Sequence, residues 1–236
     1  MILIRSLLFN ITFPLWTIAV SILCSPVLLT GDYKKIAFVG RLWANGTLFM
    51  LRILCGISYE IRGRENIPDI PFIIASKHQS AWDTVIFLKL HNNPAYILKK
   101  ELLKIPFFGI YLKGLKMIPI DREGGSKALK QMLNDVKERL SNNRTIVIFP
   151  EGTRTAPGDK TSYQPGVAFI YKDIENPIVP VALNSGLYWG KSSFIKKPGK
   201  IILEYLPPIK EGLDRKSFTK TLENAIEEPS KKLQNG

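Results

Sequence analysis

The chain has 236 residues, which is enough for one domain of mixed architecture with a short extension but too few for two full domains. Hydrophobic residues make up 45% of the chain, so it can bury a sizeable core, and a disordered chain is excluded. Its 33 Lys and Arg against 20 Asp and Glu give a formal net charge of +13. That charge suits nucleic acid, an anionic membrane surface or a phosphorylated substrate, or serves solubility alone.

The cysteines and histidines are too few for several kinds of site. Cys24 and Cys55 form no CxxC pair, so a disulfide framework is not indicated and a reducing compartment fits. With only two histidines beside them, a zinc site of the usual kind is not expected. We predict that the protein binds no metal.

The chain begins with a long apolar segment. No charged residue occurs from Ser6 to Thr30, and as a helix this segment would measure ~37 Å, enough for a hydrocarbon core of ~30 Å. Pro14 and Pro26 interrupt it, so a bent or re-entrant segment is an alternative to a straight span. A cleaved signal peptide is another reading, but only Arg5 marks its start and no A-x-A site follows. A buried core helix would have to be covered on all sides.

The next segment, from Lys34 to Tyr59, predicts an interfacial helix with basic anchors, because Arg41 and Arg52 interrupt its apolar residues. The positive charges on this side exceed the single Arg5 on the other flank. The positive-inside rule then places the protein at the inner cell membrane with its main domain in the cytoplasm. We predict membrane-anchoring helices over residues 1–57 and the main domain over residues 58–236.

After Tyr59, short buried strands alternate with amphipathic helices. The predicted strands are residues 72–75, 145–149, 178–183 and 200–205, and the predicted helices cover residues 129–140 and 216–228. This order predicts an α/β fold with a mixed, largely parallel sheet flanked by helices.

A His and an Asp follow the first of these strands. His78 comes five positions before Asp83, and on one continuous helix the two side chains would point ~140° apart. They can meet only if His78 lies in the loop and Asp83 in the first helical turn. An imidazole held by a carboxylate in this way can act as a general base. The alternative is a helix-capping pair, Ser80 with Asp83, beside an ordinary surface histidine.

Two further blocks carry basic residues in loops. Glu151, Gly152, Thr153 and Arg154 follow the second strand in a turn forced by Pro150, and a guanidinium there suits phosphate. Arg122 ends the block Ile120 to Arg122, with Lys100 upstream. Read alone, the first is a turn with an exposed arginine, and the second is a surface Asp–Arg ion pair.

Taken in order, these blocks resemble the 1-acyl-sn-glycerol-3-phosphate acyltransferase family and its glycerolipid relatives. That family has a His-four residues-Asp block, a block ending in Ile-Asp-Arg, a Glu-Gly-Thr-Arg block and a Val-Pro-Val block. Here they are His78 to Asp83, Ile120 to Arg122, Glu151 to Arg154 and Val179 to Val181. The resemblance covers residues 59–206.

The resemblance implies an enzyme that transfers a fatty acyl group from acyl-CoA or acyl carrier protein to lysophosphatidic acid, giving phosphatidic acid at a membrane without a cofactor. It implies that His78 is the base and Asp83 its orienting partner. It also places Pro180 near the acyl chain. The residues assigned to the substrate phosphate are Lys100, Arg122, Glu151, Gly152, Thr153 and Arg154.

Two alternatives stay open at this point. A relative could use another acceptor, such as glycerol 3-phosphate or another lysophospholipid. A lipid-binding protein without activity could share the scaffold. A nucleic-acid partner is not expected, because basic runs interleaved with aromatic residues are missing from the sequence.

Overall fold

The sheet of this protein has seven strands and mixed direction. A computed structural model describes residues 1–235. The strands are β1 (Ile57–Arg62), β2 (Ile73–Ser76), β3 (Ala95–Lys99), β4 (Ile118–Ile120), β5 (Ile146–Ile148), β6 (Ile178–Leu183) and β7 (Gly199–Tyr205). Their order is β1-β7-β6-β2-β5-β3-β4, and every pair is parallel except β6 with β7. The predicted mixed, largely parallel sheet is confirmed.

Seven α-helices accompany the strands in this part of the chain. They are α1 (Ile2–Leu23), α2 (Tyr33–Met50), α3 (Trp82–Leu90), α4 (Phe108–Gly114), α5 (Gly125–Ser141), α6 (Pro165–Asp173) and α7 (Arg215–Asn235). Short 3-10 helices cover Ser25–Thr30, Arg64–Asn66, Lys100–Lys104 and Ser185–Leu187, and one π-helical turn covers Leu51–Cys55.

The sheet lies between two layers of helices because successive strand residues point to opposite faces. In β2, Ile74 packs with residues of α1 to α4, whereas Ile73 packs with residues of α5 to α7. The second layer depends on the amphipathic pattern of α5, where Met132, Val136 and Leu140 are buried at helical spacing. All residues of β2 and β6 are buried, which is typical of the centre of such a sheet.

The structure corrects the predicted elements at several places. The interfacial helix does not reach Tyr59, because Gly56 ends it at a φ of 68° and β1 starts at Ile57. Pro14 lies inside α1 without ending it, and α7 continues past the predicted end at Glu228. The boundary proposed after residue 57 therefore falls one residue inside β1.

His91, at the end of α3, is buried in an aromatic environment. Its Nε2 lies 2.7 Å from the Tyr205 hydroxyl, and the Phe72 ring lies edge-on to it. Burial, together with the positive charge of Arg64, lowers the pKa of His91 from 6.5 to about 4. The folded protein therefore keeps this imidazole neutral at pH values where the unfolded chain is already protonated.

We expect His91 to make folding stability fall as the pH is lowered from 6.5 to about 4. Protons then bind the unfolded state first, so the contribution is fully present above pH 6.5 and is lost on acidification. The loss should be about 3 kcal/mol. It is measured as the difference in pH dependence of unfolding between the wild-type protein and His91→Gln, and equal pH dependence of the two would contradict the assignment.

Candidate active site

The parallel strands β2 and β5 are neighbours, so the loops that follow them lie side by side at the carboxyl end of the sheet. The loop after β2 carries His78, and the first turn of α3 carries Asp83. His78 Nδ1 lies 3.0 Å from Asp83 Oδ2. The structure thus brings the two side chains together with one in the loop and the other on the helix.

Asp83 is fully buried and its carboxylate is held from several directions. Oδ2 accepts hydrogen bonds from the amides of Gln79 at 2.7 Å and Ser80 at 2.8 Å, and Oδ1 accepts one from Ser185 Oγ at 2.6 Å. A carboxylate surrounded by donors is an acceptor for the His78 ring, so we infer that the imidazole proton sits on Nδ1. The lone pair of Nε2 is then left to take a proton.

The imidazole plane is fixed by Phe149, the residue after β5. The two rings stack with their centroids 3.9 Å apart and an interplanar angle of 18°. The His78 side chain keeps an exposure of 12%. Contact with Phe149 on one face and Asp83 at one nitrogen leaves the ring little freedom to rotate.

Glu151 has a different surrounding from the one predicted. Its carboxylate is buried and accepts hydrogen bonds from Lys77 Nζ at 2.5 Å, the His78 amide at 2.8 Å and Thr155 Oγ1 at 2.6 Å. A carboxylate with these partners is not available to a phosphate, which it would also repel. The prediction that Glu151 shares in phosphate binding does not fit this geometry.

Of the other residues predicted to bind the phosphate, some line the cavity described next and one lies outside it. Gly152, with a φ of 68°, turns the chain after Glu151, and its carbonyl accepts a hydrogen bond from Arg122 Nη2. In residues 1–235 the guanidinium of Arg154 makes no hydrogen bond and no ion pair, so its donors are free. Lys100 lies 3.5 Å from Asp121 Oδ2, outside the wall of the cavity described next.

A cavity of about 620 Å³ opens beside these groups. One part of its wall holds polar and aromatic groups from the segments after β2, β4 and β5: His78, Arg122, Phe149, Gly152, Thr153 and Arg154. The other part is apolar and reaches α1 and α2, with Val20, Trp43, Leu88, Leu112 and Met117 among its residues. The cavity can therefore hold a molecule with an anionic end and a long apolar end.

The acyltransferase family model matches residues 58–184 of this sequence. The chain belongs to the acyltransferase family. The matched range contains the His78 and Arg154 loops, and the family predicted from the four blocks is confirmed.

Two similar proteins illustrate the likeness. The 1-acyl-sn-glycerol-3-phosphate acyltransferase of Pseudomonas aeruginosa is 40% identical over 164 residues, covering 70% of this chain and 64% of that protein. The protein of that name from Limnanthes alba is 30% identical over 185 residues, covering 78% of this chain and 65% of that protein. This acyltransferase therefore matches somewhat less than two thirds of the length of these relatives.

A solved structure has the same fold. The 1-acyl-sn-glycerophosphate (LPA) acyltransferase PlsC from Thermotoga maritima superposes with a TM-score of 0.81 at 25% sequence identity. The superposition covers 100% of this chain and 99% of the other. The likeness includes the N-terminal helices of this acyltransferase as well as its sheet.

Two residues of this acyltransferase differ from what the sequence led us to expect. Pro180 lies in the buried centre of β6, opposite Ala75 of β2, and does not line the cavity; its place beside an acyl chain stays a prediction. Ser185, which contacts Asp83, was not found from the sequence. It lies 102 positions from Asp83, and no local pattern marks it.

Proposed function

We propose that this protein transfers a fatty acyl group from an acyl thioester to the free hydroxyl of 1-acyl-sn-glycerol 3-phosphate, giving phosphatidic acid. The observation that carries the proposal is the His78–Asp83 pair on the wall of a cavity that also holds Arg154 and a long apolar surface. A base, an anion site and an apolar site are the three features that this acceptor needs.

In the proposed reaction, Nε2 of His78 removes the proton of the acceptor hydroxyl while its oxygen attacks the carbonyl carbon of the thioester. The tetrahedral intermediate then collapses, the carbon–sulfur bond breaks, and the thiolate leaves and takes up the proton from the His78 imidazolium. Asp83 holds the imidazole in orientation and stabilises its positive charge. A single transfer of this kind needs no covalent intermediate on the protein.

Arg154 is our candidate for the main phosphate ligand, since its guanidinium is free and suits a phosphate in geometry and charge. Arg122, held against Gly152, and the exposed Thr153 lie on the same part of the wall. Binding the phosphate there would fix the glycerol hydroxyl relative to His78, and such positioning lowers the entropic part of the barrier.

The acyl donor belongs to the same proposal. Acyl-CoA and acyl carrier protein are both anionic, and a chain with a net charge of +13 would attract either one. The donor is a co-substrate and the proposed step needs no further cofactor. The apolar part of the cavity would receive a fatty chain.

Within residues 1–235, α1 is the one helix long and apolar enough to cross a membrane, with a mean hydropathy of 1.7. Its outer face is unpacked, with Leu3, Leu8 and Leu15 at 46% to 65% exposure. Exposed apolar side chains along the length of a helix are typical of contact with lipid. The helix therefore indicates association with a membrane.

We infer that α1 stays packed against the domain and contacts the membrane with its exposed face, without crossing the bilayer. Its inner face donates hydrogen bonds from Arg5 to the Leu54 carbonyl, from Asn10 to the Phe194 carbonyl and from Trp16 to the Trp43 carbonyl. These contacts occur along most of the helix, so crossing the bilayer would require breaking them or burying the attached domain. We propose that the domain faces the cytoplasm from the inner membrane.

We expect the double change Leu8→Glu and Leu15→Glu to release the protein from lipid vesicles. Burying a leucine is worth about 1.5–3 kcal/mol, so losing two should weaken partitioning by about 100-fold or more. The measurement is flotation with vesicles of phosphatidylethanolamine and phosphatidylglycerol. Ile70→Glu is the matched control, because Ile70 is an equally exposed apolar residue before β2, at the strand end away from the site. Recovery of the wild-type protein in a detergent-free soluble fraction would contradict the proposal.

The experiment that tests the activity uses the purified chain with lysophosphatidic acid and a series of acyl thioesters, with phosphatidic acid as the product. A parallel panel of glycerol 3-phosphate and larger lysophospholipids separates this acceptor from its relatives. A lipid-binding protein without activity would release no thiol when the acceptor is added. Thiol release that depends on lysophosphatidic acid and matches phosphatidic acid formation is the expected result.

A further inference from the structure

A buried lysine next to the candidate base joins two carboxylates from distant parts of the chain. Lys77 Nζ lies 2.5 Å from Glu151 Oε1 and 2.8 Å from both carboxylate oxygens of Glu227. The side chain of Lys77 is 3% exposed and that of Glu151 is 1% exposed. Glu227 lies 150 positions from Lys77, on the last helix.

The group formed by Lys77, Glu151 and Glu227 holds the main chain of His78 on both sides. Glu151 Oε2 accepts the hydrogen bond of the His78 amide at 2.8 Å. The His78 carbonyl accepts one from the Thr155 amide at 2.9 Å, while the Thr155 hydroxyl donates to Glu151. A shift of the Glu151 carboxylate would therefore move the backbone that carries the imidazole.

Glu227 is brought to this group by a firmly packed helix. Phe218, Leu222 and Ile226 of α7 are fully buried, and they recur at the spacing that places them on one face. The hydroxyl of Tyr163 also donates a hydrogen bond to Glu227 Oε1 at 2.9 Å. The position of Glu227 is thus set by the fold, although its side chain is 35% exposed.

The charges explain why the arrangement needs all three members. Burial alone lowers the pKa of Lys77, but the carboxylates of Glu151 and Glu227 outweigh it and raise the pKa above the usual value. Lys77 is therefore protonated at neutral pH. The two carboxylates lie close together in a poorly solvated site, and the ammonium between them offsets their repulsion.

We propose that Glu227 is a positioning residue for the reaction, which acts through Lys77 and Glu151 to hold the His78 backbone in place. The inference rests on the proposed function, in which the His78 ring must be correctly placed to remove a proton from the acceptor hydroxyl. Glu227 itself does not line the cavity. The C-terminal helix thereby becomes part of the catalytic arrangement.

The first test compares Glu227→Gln with Glu228→Gln, its exposed neighbour on the same helix, which removes the same charge. We expect Glu227→Gln to lower kcat about tenfold, since small displacements of a reacting group are costly, and to leave the KM for lysophosphatidic acid nearly unchanged. Glu228→Gln should behave as wild type. Equal kcat for the two variants, or a loss confined to KM, would overturn the proposal.

A second measurement needs no turnover, so it separates this proposal from the proposed function. The chain has two histidines, His78 and His91, so imidazole NMR signals can be assigned by replacing either one. Glu227→Gln should shift the His78 signals and leave those of His91 in place. Unmoved His78 signals would overturn the positioning role, whereas moved signals in a protein that forms no phosphatidic acid would overturn the proposed function alone.

A double-mutant cycle tests the route through Lys77. In a Lys77→Met background, Glu227→Gln should cause no further fall in kcat, because the ammonium that transmits its effect is gone. A further tenfold fall would contradict the route. Melting curves accompany every variant, and a lower melting temperature with unchanged kcat would mean that Glu227 serves stability only.

Discussion

Replacing His78 by alanine is expected to lower the kcat of acyl transfer by about 10²–10⁴-fold, the usual contribution of a general base. The acceptor hydroxyl would then lose its proton to water. The KM for lysophosphatidic acid should change little, because the phosphate site that we propose is formed by other residues. The measurement is the rate of phosphatidic acid formation at saturating acceptor and donor.

Two controls make the His78→Ala result specific. A melting curve shows that the variant is folded, which is expected because the main-chain contacts of His78 with Glu151 and Thr155 do not involve the imidazole. His91→Gln removes the other histidine, which is buried away from the cavity, and should keep its activity. A folded His78→Ala variant with near-wild-type activity would exclude the base assignment.

The second large effect is expected for Arg154→Ala, which should raise the KM for lysophosphatidic acid by about 10- to 100-fold. A hydrogen bond to a charged group contributes about 1.5–3 kcal/mol, and in our proposal the free guanidinium of Arg154 makes such bonds with the phosphate. The kcat at saturating acceptor should fall less than KM rises. Initial rates over a range of acceptor concentrations give both constants.

The specificity of the Arg154→Ala effect is tested with a monoacylglycerol, an acceptor that has the hydroxyl but no phosphate. Its transfer rate should be equal in the wild-type protein and the variant. Lys100→Ala serves as the comparison, since Lys100 lies against Asp121 and outside the cavity wall, and its acceptor KM should change much less. A defect confined to the thioester donor would argue against the role of Arg154.

The central strands could be predicted because burial on both faces leaves a continuous apolar run. The prediction of β6 at residues 178–183 has the observed bounds, and that of β2 is one residue off. Two strands at one end of the sheet were missed because their patterns are weak: the edge strand β4 has three residues with Pro119 at its centre, and its neighbour β3 ends in lysine. β1 was missed because its apolar residues continue the pattern of the preceding helix.

Only those contacts of the site that join residues close together in the sequence could be predicted. The spacing of five positions from His78 to Asp83, after a strand end, is enough to place an imidazole against a carboxylate. The contacts of Asp83 with Ser185 and of Lys77 with Glu227 depend on how α7 and the loop after β6 pack on the sheet. Glu151 was given the wrong partners because the sequence shows it beside Arg154, whereas the fold turns its carboxylate toward Lys77.

The most direct test of the account is the simultaneous measurement of thiol release and phosphatidic acid formation by purified wild-type protein and His78→Ala with lysophosphatidic acid and an acyl thioester. The account predicts one phosphatidic acid for each thiol with the wild-type protein, and a joint loss of about 10²–10⁴-fold in the folded variant. Wild-type thiol release that needs no acceptor, or a variant that forms phosphatidic acid at the wild-type rate, would contradict it.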